Sequence, residues 1–385
     1  MASNLIHMGH SVTMLTEIPN HPSGVFPLEY RGKFYERKDL NGIDVIRLWV
    51  YASPKKTFYK RLAFYLSFMV NAMLVGILVV NNRYDVVYAT SPPLFVGAAG
   101  LALSILKRMP FVFEVRDLWP ESAIELGELH NRFAIKWATR LEAVCYRRAK
   151  KIIVVTNGIH DHLLQRGIPK EKLAVIHNGS NADLFQYRPT GRARIRRQLG
   201  LDNKFIVLYA GIIGIAQGLE TVIQAARMLH DQKDIQFIFV GEGPQKAHLT
   251  SILSRTNINN LMFLEEQPRE IIPDYLSASD IAIVPLRNID IFRSALPSKI
   301  FDAWACERPV LLSAEGEARN VMEKAQGGIR ISPENPEEMV SAINFLKSSP
   351  DQRLNFGRNG RRFTLQHYSR QAQAEKLENI LISLV

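Results

Sequence analysis

The sequence has few of the residues that stabilise small secreted domains or form metal centres. Only two of its 385 residues are cysteine, Cys145 and Cys306, too few for a disulfide framework or a cysteine-rich zinc site. A reducing compartment therefore fits the composition best. The opening residues MASNLIHMGHS lack the basic start and apolar core of a signal peptide.

Several catalytic motifs are also missing. The sequence contains neither the GxxxxGK[ST] phosphate loop nor the GxSxG elbow of serine hydrolases. His7, His10, His160 and His162 have no carboxylate or cysteine neighbours at a recognisable ligand spacing. No Asp-x-Asp motif follows a predicted strand, so we expect chemistry without a bound metal.

Acidic residues are scarce, and mostly so in the first half. The chain has 48 Lys and Arg against 37 Asp and Glu, a net charge of +11. Residues 1–188 hold 24 basic and 15 acidic residues, whereas residues 189–385 hold 24 and 22. A basic first half predicts an anionic partner, such as nucleic acid, a phosphorylated substrate or a membrane surface. The alternative is a basic surface without a specific partner.

One uncharged run, Leu62–Val80, is long enough to span a membrane. A span would place the preceding strands and the strand predicted at Asp85–Ala89 on opposite sides of the membrane. A buried helix and a helix lying in the bilayer surface remain open. A second apolar stretch, Leu94–Leu106, favours the last interpretation. Basic residues flank both runs: Lys55, Lys56, Lys60, Arg61, Lys107 and Arg108.

Short Val- and Ile-rich runs alternate with helical patterns, which is typical of parallel sheets covered on both faces. The predicted strands are Ser11–Thr16, Asp44–Leu48, Asp85–Ala89, Phe111–Glu114, Lys151–Thr156, Leu173–Ile176, Phe205–Tyr209, Gln236–Val240, Leu261–Leu264, Ile281–Pro285 and Val310–Leu312. The predicted helices include Ala134–Ala149, Glu220–Asp231, Gln245–Ser254 and Ser298–Cys306. Two such series predict an α/β chain with two doubly wound domains, and the break falls near Asn178–Pro189. Ligands of such sheets bind beyond the carboxyl ends of the strands, so we expect the site in the cleft between the domains.

Two glycine-rich turns follow strands of the second series. Gly211, Gly214 and Gly218 lie between a strand and a helix beginning near Glu220, an arrangement that presents N–H groups to an anion, typically a diphosphate. Gly241-Glu242-Gly243-Pro244 also joins a strand to a helix and lets a nucleotide approach the backbone. The alternative for both segments is a turn that serves packing only, and it is favoured for the second segment but not for the first.

The segment PSKIFDAWACERPV carries the strongest signal. Lys299 and Asp302 are three residues apart near the start of a helix, so they share one face. The lysine can neutralise phosphate, and the carboxylate can accept hydrogen bonds from ribose hydroxyls. The alternative is a surface ion pair.

Two further charged groups have competing interpretations. Arg116 and Asp117 follow a strand, and they are either residues of a functional site or a buried structural ion pair. Arg192, Arg194, Arg196 and Arg197 suggest nucleic-acid binding or, without a recognised module, a solvated helix face.

Together these segments resemble the retaining glycosyltransferases of family 4, which have the GT-B fold. The nearest branch contains N-acetyl-L-fucosamine transferase-type enzymes of bacterial O-antigen, capsule and colanic acid synthesis. The resemblance runs from about residue 10 to Tyr368. The matching stretches are TSPPLFVGAAGLAL, PFVFEVRDLWPES, RRAKKIIVVTNGI, VIHNGSNADLF, YAGIIGIAQGLETVIQAA, FVGEGP, YLSASDIAIVPL and PSKIFDAWACERPVL.

The resemblance implies two Rossmann-like domains facing a cleft: an acceptor-side domain over 1–187, a donor domain over 188–365, and a C-terminal helix over 366–385 that packs back on the first domain. It implies a metal-independent, retaining transfer of an N-acetylated or deoxy hexose from a UDP-sugar, with no cofactor. Base and ribose would face Glu242, Gly243 and Asp302. The diphosphate would meet Gly211, Gly214, Gln217, Gly218 and Lys299. The catalytic residues would be Arg116, Asp117 and Lys299.

The sequence departs from the family pattern at several places, two of which change the expected site or fold. The usual Glu-x7-Glu pair reads Ser294 and Asp302 here, so Asp290 or Arg293 is expected to take over the donor-sugar contact. The chain also starts in what resembles the end of the first helix. We therefore expect the first domain to lack its central first strand and the natural protein to start upstream. The alternative is that another segment closes the gap.

The resemblance further implies a lipid-linked glycan acceptor and a cytoplasmic protein peripheral to the inner membrane, with an anionic membrane surface but no nucleic acid as partner. The alternatives are an inactive nucleotide-binding or scaffold protein and a nucleotide-sugar epimerase of the same fold.

Overall fold

A computed structural model describes residues 1–385 except 22, 56, 81–83, 126, 128 and 257. Lys56, one of the basic residues before the long apolar run, lies outside the described residues. The chain divides into two compact units. The first comprises Met1–Ile176 together with Gln373–Val385, and the second is His177–Ala372. This division falls before the boundary predicted at residues 187 and 188.

The described residues of the first unit form seven strands in two sheets. A three-stranded sheet has the order β1-β3-β2, and a four-stranded parallel sheet has the order β4-β5-β6-β7. The strands are β1 Thr13–Glu17, β2 Tyr35–Leu40, β3 Ile43–Leu48, β4 Val87–Ser91, β5 Phe111–Val115, β6 Lys151–Val154 and β7 Leu173–Val175.

β2 was not predicted from the sequence. Its residues YERKDL are mostly exposed at the edge of the sheet, so they show no apolar run. β2 pairs antiparallel with β3 around Asn41 and Gly42, both of which have positive φ. Asn-Gly is the dipeptide preferred in two-residue hairpin turns, and it was the signal that could have identified this strand.

The strands of the first unit form two separate sheets, as expected if the central strand between β1 and β4 is missing. Within the described ranges, no strand is hydrogen-bonded between β1 and β4. Thr13 Oγ1 and Tyr84 Oη lie 2.5 Å apart, which links β1 to the segment that leads into β4.

One long helix packs beneath the three-stranded sheet of this unit. Helix α2 places Ala72 and Val75 in a cluster with Ile46 and Leu48 of β3. Its other side is exposed, so α2 is not buried on all sides. The first-unit helices are α1 Ala2–His7, α2 Phe58–Leu78, α3 Leu94–Lys107, α4 Glu121–Glu125, α5 Arg132–Arg148 and α6 Asn157–Gln165.

The second unit is a doubly wound domain around one six-stranded parallel sheet. The sheet order is β10-β9-β8-β11-β12-β13, so the chain moves outward from β8 in one direction and then from β11 in the other. β13 was not predicted, because its four residues GIRI begin with a glycine and include one exposed arginine. The strands are β8 Phe205–Ala210, β9 Ile235–Val240, β10 Leu261–Leu264, β11 Ile281–Pro285, β12 Val310–Ser313 and β13 Gly328–Ile331.

Helices cover both faces of this sheet, and large apolar clusters fill the two interfaces. The helices are α7 Pro189–Leu199, α8 Glu220–Met228, α9 Lys246–Ser254, α10 Ile272–Ala278, α11 Lys299–Ala305, α12 Glu317–Ala325, α13 Pro336–Ser348 and α14 Pro350–His367. The last helix, α15 Arg370–Ile382, only begins in this unit. From Gln373 onward the chain belongs to the first unit, where Leu377 packs against Val112 and Ile153.

The arginine-rich helix α7 is only partly the solvated face expected from its sequence, since Arg194 and Arg197 are exposed whereas the other two arginines are not. Arg196 is buried, and its guanidinium donates to the carbonyl of Ala278 at 2.8 Å and to Asp280 Oδ2 at 2.6 Å. Arg192 donates to the carbonyls of residues 277–279 at 3.0–3.1 Å. These carbonyls end α10, so the cluster satisfies the open end of a neighbouring helix.

Candidate functional site

The candidate site of the second unit lies where the sheet order reverses. β8 and β11 are neighbours there, and their chains continue to helices in opposite directions. A small cavity of about 40 Å³ lies at this point, with Ala210, Lys299, Asp302 and Ala303 among its lining residues. A crevice at the carboxyl ends of such strands is where ligands of open α/β sheets bind. The predicted pair Lys299 and Asp302 thus borders one cavity.

Lys299 is held over an aromatic ring at the start of α11. Its Nζ donates to Tyr209 Oη at 2.5 Å and lies 4.2 Å from the centroid of the Tyr209 ring. The Tyr209 hydroxyl in turn donates to the carbonyl of Ile212. Burial lowers the pKa of Lys299 to about 7. At neutral pH the Lys299 side chain is therefore divided between its neutral and ammonium forms, and an arriving anion would favour the ammonium form.

Asp302 is anchored by a residue far away in the sequence. Ser180 Oγ donates to Asp302 Oδ1 at 2.7 Å. Burial raises the pKa of Asp302, while the Ser180 hydrogen bond, Arg269 and Arg370 oppose that rise. Lys299 and Asp302 accordingly have separate partners and are largely buried, unlike the surface ion pair that was the alternative.

The two glycine-rich turns are in backbone contact. A Cβ at Gly241 would lie 2.1 Å from the Gly211 carbonyl oxygen, and one at Gly243 would lie 2.3 Å from that of Ile213. The Ile213 amide donates to the Glu242 carbonyl at 2.8 Å. Glycine is therefore required by space as well as by the positive φ angles of Gly241 and Gly243.

At Gly211 the backbone of the first glycine-rich turn lies against the Lys299 side chain. The φ of Gly211 is +139°, and a Cβ there would lie 2.4 Å from Lys299 Cε. The turn is closed by Gln217, whose Oε1 accepts from the Gly214 amide at 3.1 Å. Gln217 thus supports its own loop.

Gly218 lies beside Arg287, a cationic residue that was not predicted from the sequence to belong to the site. Its φ is +55°, and a Cβ there would lie 3.1 Å from Cγ of Arg287. The Arg287 amide donates to the Ala216 carbonyl at 2.9 Å, and its side chain pairs with Glu334 at 3.4 Å. Arg287 follows β11, so its position after a central strand was the available signal.

Glu242 pairs with Lys246 one helical turn onward. This contact and Glu265 hold the pKa of Glu242 below its usual value. Lys246 also lies 3.2 Å from Glu265. Glu242 is thus an ionised, fixed carboxylate beside Gly243.

The expected donor-sugar residues lie together in the 3₁₀ turn Asp290–Ser294. Arg293 Nε lies 3.2 Å from Asp290 Oδ1, and both side chains are exposed. Ser294 Oγ donates to the Ile291 carbonyl at 2.7 Å. Gly316, after β12, packs against the Arg293 carbonyl, where a Cβ would come within 2.0 Å. The turn is therefore fixed against the same edge of the sheet.

Arg116 and Asp117 follow β5 in the first unit. The Arg116 amide donates to the Ser91 carbonyl of β4 at 2.9 Å. Asp117 Oδ2 accepts from Ser122 Oγ at 2.9 Å, and burial raises the pKa of Asp117. Both residues thus lie at the carboxyl end of the four-stranded parallel sheet, as predicted.

In the part of the chain that the structure describes, no group of three His, Cys, Asp or Glu side chains is arranged to hold a metal ion. Tyr209 and Ser180, the partners of Lys299 and Asp302, were missed in the sequence analysis. Tyr209 lies in a buried strand, and Ser180 lies in a loop 122 residues before Asp302, so neither showed a local pattern.

Two family models match the chain. The model described as "Glycosyl transferase 4-like domain" matches residues 1–179, and the one described as "Glycosyl transferases group 1" matches residues 191–363. The chain belongs to glycosyltransferase family 4.

Relatives of this glycosyltransferase include an Escherichia coli protein, WcaI, named as a colanic acid biosynthesis glycosyl transferase. It is 27% identical over 89% of this chain and 86% of its own length. An alpha-D-kanosaminyltransferase of Streptomyces kanamyceticus is 26% identical over 64% of this chain and 62% of its own length.

Solved structures show the GT-B fold of the glycosyltransferase. Sucrose-phosphate synthase from Thermosynechococcus elongatus aligns with a TM-score of 0.76 at 20% identity, covering 99% of this chain and 91% of that chain. Anabaena HepE in complex with UDP-glucose aligns with a TM-score of 0.74 at 19% identity, covering 97% and 100%.

Proposed function

We propose that this glycosyltransferase moves a sugar, an N-acetylated or deoxy hexose, from a UDP-sugar to a lipid-linked glycan acceptor, with retained anomeric configuration and no bound metal. The observation that carries the donor part is the meeting of Lys299, Asp302 and two interlocked glycine turns at the switch point of the second sheet. Binding of UDP and UDP-glucose by the Anabaena neighbour supports a uridine nucleotide.

Sugar transfer from a nucleotide diphosphate chiefly requires stabilisation of the charges that develop in the transition state. A departing diphosphate carries negative charge, and the sugar passes through an oxocarbenium-like state. Lys299 would meet the diphosphate, together with amide N–H groups of the turn from Gly211 to Gly218. Arg287, beside Gly218, adds a second cation at this loop.

The nucleoside end would be read by carboxylates. Asp302 has one oxygen bonded to Ser180, so its other oxygen is the one that would accept from ribose. Glu242 and Gly243 would line the base. Asp290, Arg293 and Ser294 would contact the donor sugar, and Arg116 and Asp117 would act on the acceptor side.

The acceptor belongs to bacterial surface polysaccharide synthesis in this proposal. The name of the Escherichia coli relative, of which 86% is covered, supports that setting. We place the protein in the cytoplasm, peripheral on the inner membrane, which agrees with the excess of basic residues over acidic ones in residues 1–188.

The test has two stages. Thermal unfolding is first measured with a panel of nucleotide sugars, because a bound donor raises the melting temperature by mass action. Transfer from the best binder to a lipid-pyrophosphate-linked sugar is then followed by mass spectrometry. UDP binding without transfer to any acceptor would favour an inactive nucleotide-binding protein, and conversion of the free nucleotide sugar would favour an epimerase. Absence of nucleotide binding would overturn the proposal.

A further inference from the structure

Helix α2 has an apolar stripe on its outer side. Leu66, Val70, Leu74 and Leu78 are 38%, 43%, 44% and 71% exposed. Their spacing of four residues places them on one face of the helix. The sequence has no charged residue from Leu62 to Val80, so no charge interrupts the stripe. This stripe is an uncommon feature of a protein surface in contact with water alone.

The opposite face of α2 is built into the first unit. Val75 is buried, and a Cβ on Gly76 would lie 2.7 Å from Leu103 of α3. Only 28% of the apolar part of α2 is buried in this way, although its length and composition would allow it to cross a membrane. Ser67 and Asn71, in the middle of α2, are hydrogen-bonded to the segment that follows β3. Val75, nearer the end of α2, packs with Ile46. The helix is thus part of a folded domain and presents one side outward.

The next helix extends the apolar surface. Tyr65 stacks on Phe95, and Lys107 donates to the Val80 carbonyl, so α2 and α3 run in the same direction and end side by side. Ile105 and Leu106, at the end of α3, are 58% and 61% exposed. They enlarge the stripe at the end marked by Leu78.

Amphipathic aromatic side chains flank the stripe. Asn71 Nδ2 donates to the Trp49 carbonyl at 2.7 Å, and the Tyr51 amide donates to Ser67 Oγ at 2.8 Å. Trp49 and Tyr51 are both exposed. Tryptophan and tyrosine favour the boundary between hydrocarbon and water. Trp49 also borders an open groove of about 430 Å³ together with Phe26, Arg31, Gly32, Lys33 and Phe34.

Basic residues far outnumber acidic ones in the sequence around the stripe. Between Asp44 and Glu114 the sequence contains a single acidic residue, Asp85. The same interval contains eight basic residues: Arg47, Lys55, Lys56, Lys60, Arg61, Arg83, Lys107 and Arg108. Lys55 and Arg108 are exposed, before α2 and after α3 respectively. An anionic partner with an apolar interior complements this pattern.

We infer that the stripe on α2, with Ile105 and Leu106, inserts into one leaflet of an anionic phospholipid bilayer. Trp49 and Tyr51 lie at the headgroup level, and the exposed Lys55 and Arg108 contact anionic headgroups. α2 lies in the plane of the surface, because its inner face and its bonds to the chain after β3 belong to the folded unit. The inference specifies the surface responsible for the proposed peripheral location, and it does not depend on which sugar is transferred.

The test is flotation of the full chain with vesicles of phosphatidylcholine alone or containing phosphatidylglycerol. We expect binding to the anionic vesicles that weakens at high salt, because the electrostatic part is screened. The triple variant Leu66→Gln, Val70→Gln, Leu74→Gln should lower the partition coefficient by about tenfold or more, since three apolar groups no longer leave water. The matched control Phe345→Gln, Leu354→Gln changes exposed apolar residues of the second unit and should bind like the wild type.

A charge variant gives an independent measurement. Lys55→Gln with Lys60→Gln should weaken binding to anionic vesicles by about tenfold or more, at about 1 kcal/mol per basic residue. The same change at exposed Lys324 and Lys376 should have little effect. UDP stabilisation is measured for every variant, so loss of nucleotide binding is read separately from loss of lipid binding.

Two results would overturn the inference. One is binding of the triple variant to anionic vesicles as tightly as the wild type. The other is a wild-type protein that binds neither kind of vesicle. The case is strongest if light scattering shows a dimer that the triple variant converts to a monomer. The stripe would then be an interface between two copies of the chain.

Discussion

The ammonium group of Lys299 lies 4.2 Å from the centre of the Tyr209 ring and donates to the hydroxyl of the same residue at 2.5 Å. The ring supplies the electron-rich face that a cation prefers, and its hydroxyl supplies a neutral acceptor. Burial raises the pKa of the Tyr209 hydroxyl, so this acceptor stays uncharged. The lysine is therefore held in place without a carboxylate to neutralise it.

Replacement of Lys299 should separate phosphate binding from nucleoside binding. Lys299→Met should weaken UDP by about 1.5–3 kcal/mol, the usual range for a hydrogen bond to a charged group. Uridine, which lacks the diphosphate, should lose far less. Isothermal titration calorimetry measures both affinities. The control is Lys324→Met, at an exposed lysine of the same unit. Equal losses for UDP and uridine would show that Lys299 is not a phosphate ligand.

Proton uptake should accompany UDP binding near neutral pH. The pKa of Lys299 is about 7 in the free protein, and a bound diphosphate raises it by its negative charge. Binding therefore takes up about half a proton at pH 7, and the affinity falls as pH rises above 7. Calorimetry in two buffers with different ionisation enthalpies measures this uptake, and Lys299→Met should abolish it. Uptake unchanged in that variant would assign the proton to another group.

Asp302→Ala should weaken UDP and uridine alike, by about 1–3 kcal/mol, because the lost acceptor is assigned to ribose. Ser180→Ala removes only the hydrogen bond that anchors this carboxylate. It should lower the free energy of unfolding by about 1 kcal/mol and weaken UDP less than Asp302→Ala does. Calorimetry and denaturant unfolding give the two quantities. Unchanged UDP affinity in folded Asp302→Ala would remove Asp302 from the site.

Gly211→Ala should disturb the site through Lys299. The added methyl group would lie 2.4 Å from Lys299 Cε, and φ of +139° is unfavourable for alanine. We expect a loss of about 1–3 kcal/mol in unfolding free energy together with weaker UDP binding. Gly200→Ala is the matched control, since φ is +67° there and nothing lies within 4 Å of the added Cβ. It should destabilise without altering UDP affinity. Weakened UDP binding in both variants would point to a general effect of backbone strain.

Chelation should leave sugar transfer unchanged. Lys299, the amide groups of the glycine turn and the start of a helix together can balance the diphosphate charge. Activity is measured with EDTA and again after manganese is added. Loss with EDTA and recovery with manganese would refute a metal-independent transfer.

The second sheet was predictable because its strands are buried on both faces and read as continuous apolar runs. β2 escaped notice because an exposed edge strand carries no such pattern, and only Asn41-Gly42 marked it. The stretch of α7 around Arg196 was misread as solvated because local charge does not reveal helix ends that a neighbouring element supplies.

Individual residues of the candidate site could be predicted from the sequence, but the residues that hold them in place could not. Lys299 and Asp302 follow from helical spacing, which is local. The contacts with Tyr209 and Ser180 depend on how distant segments pack, and no short pattern encodes them. Arg287 shows the same limit, because its relevance comes from the approach of its loop to Gly218.

The backbone contact between the two glycine turns restricts how donor preference can change. With carbonyl oxygens of Gly211 and Ile213 filling the space beside Gly241 and Gly243, neither loop can lengthen or gain a side chain at those positions without displacing the other. Altering the accepted nucleotide by mutation should therefore proceed through side chains that project from this fixed frame. Glu242 is the position at which a library for a different base is best begun.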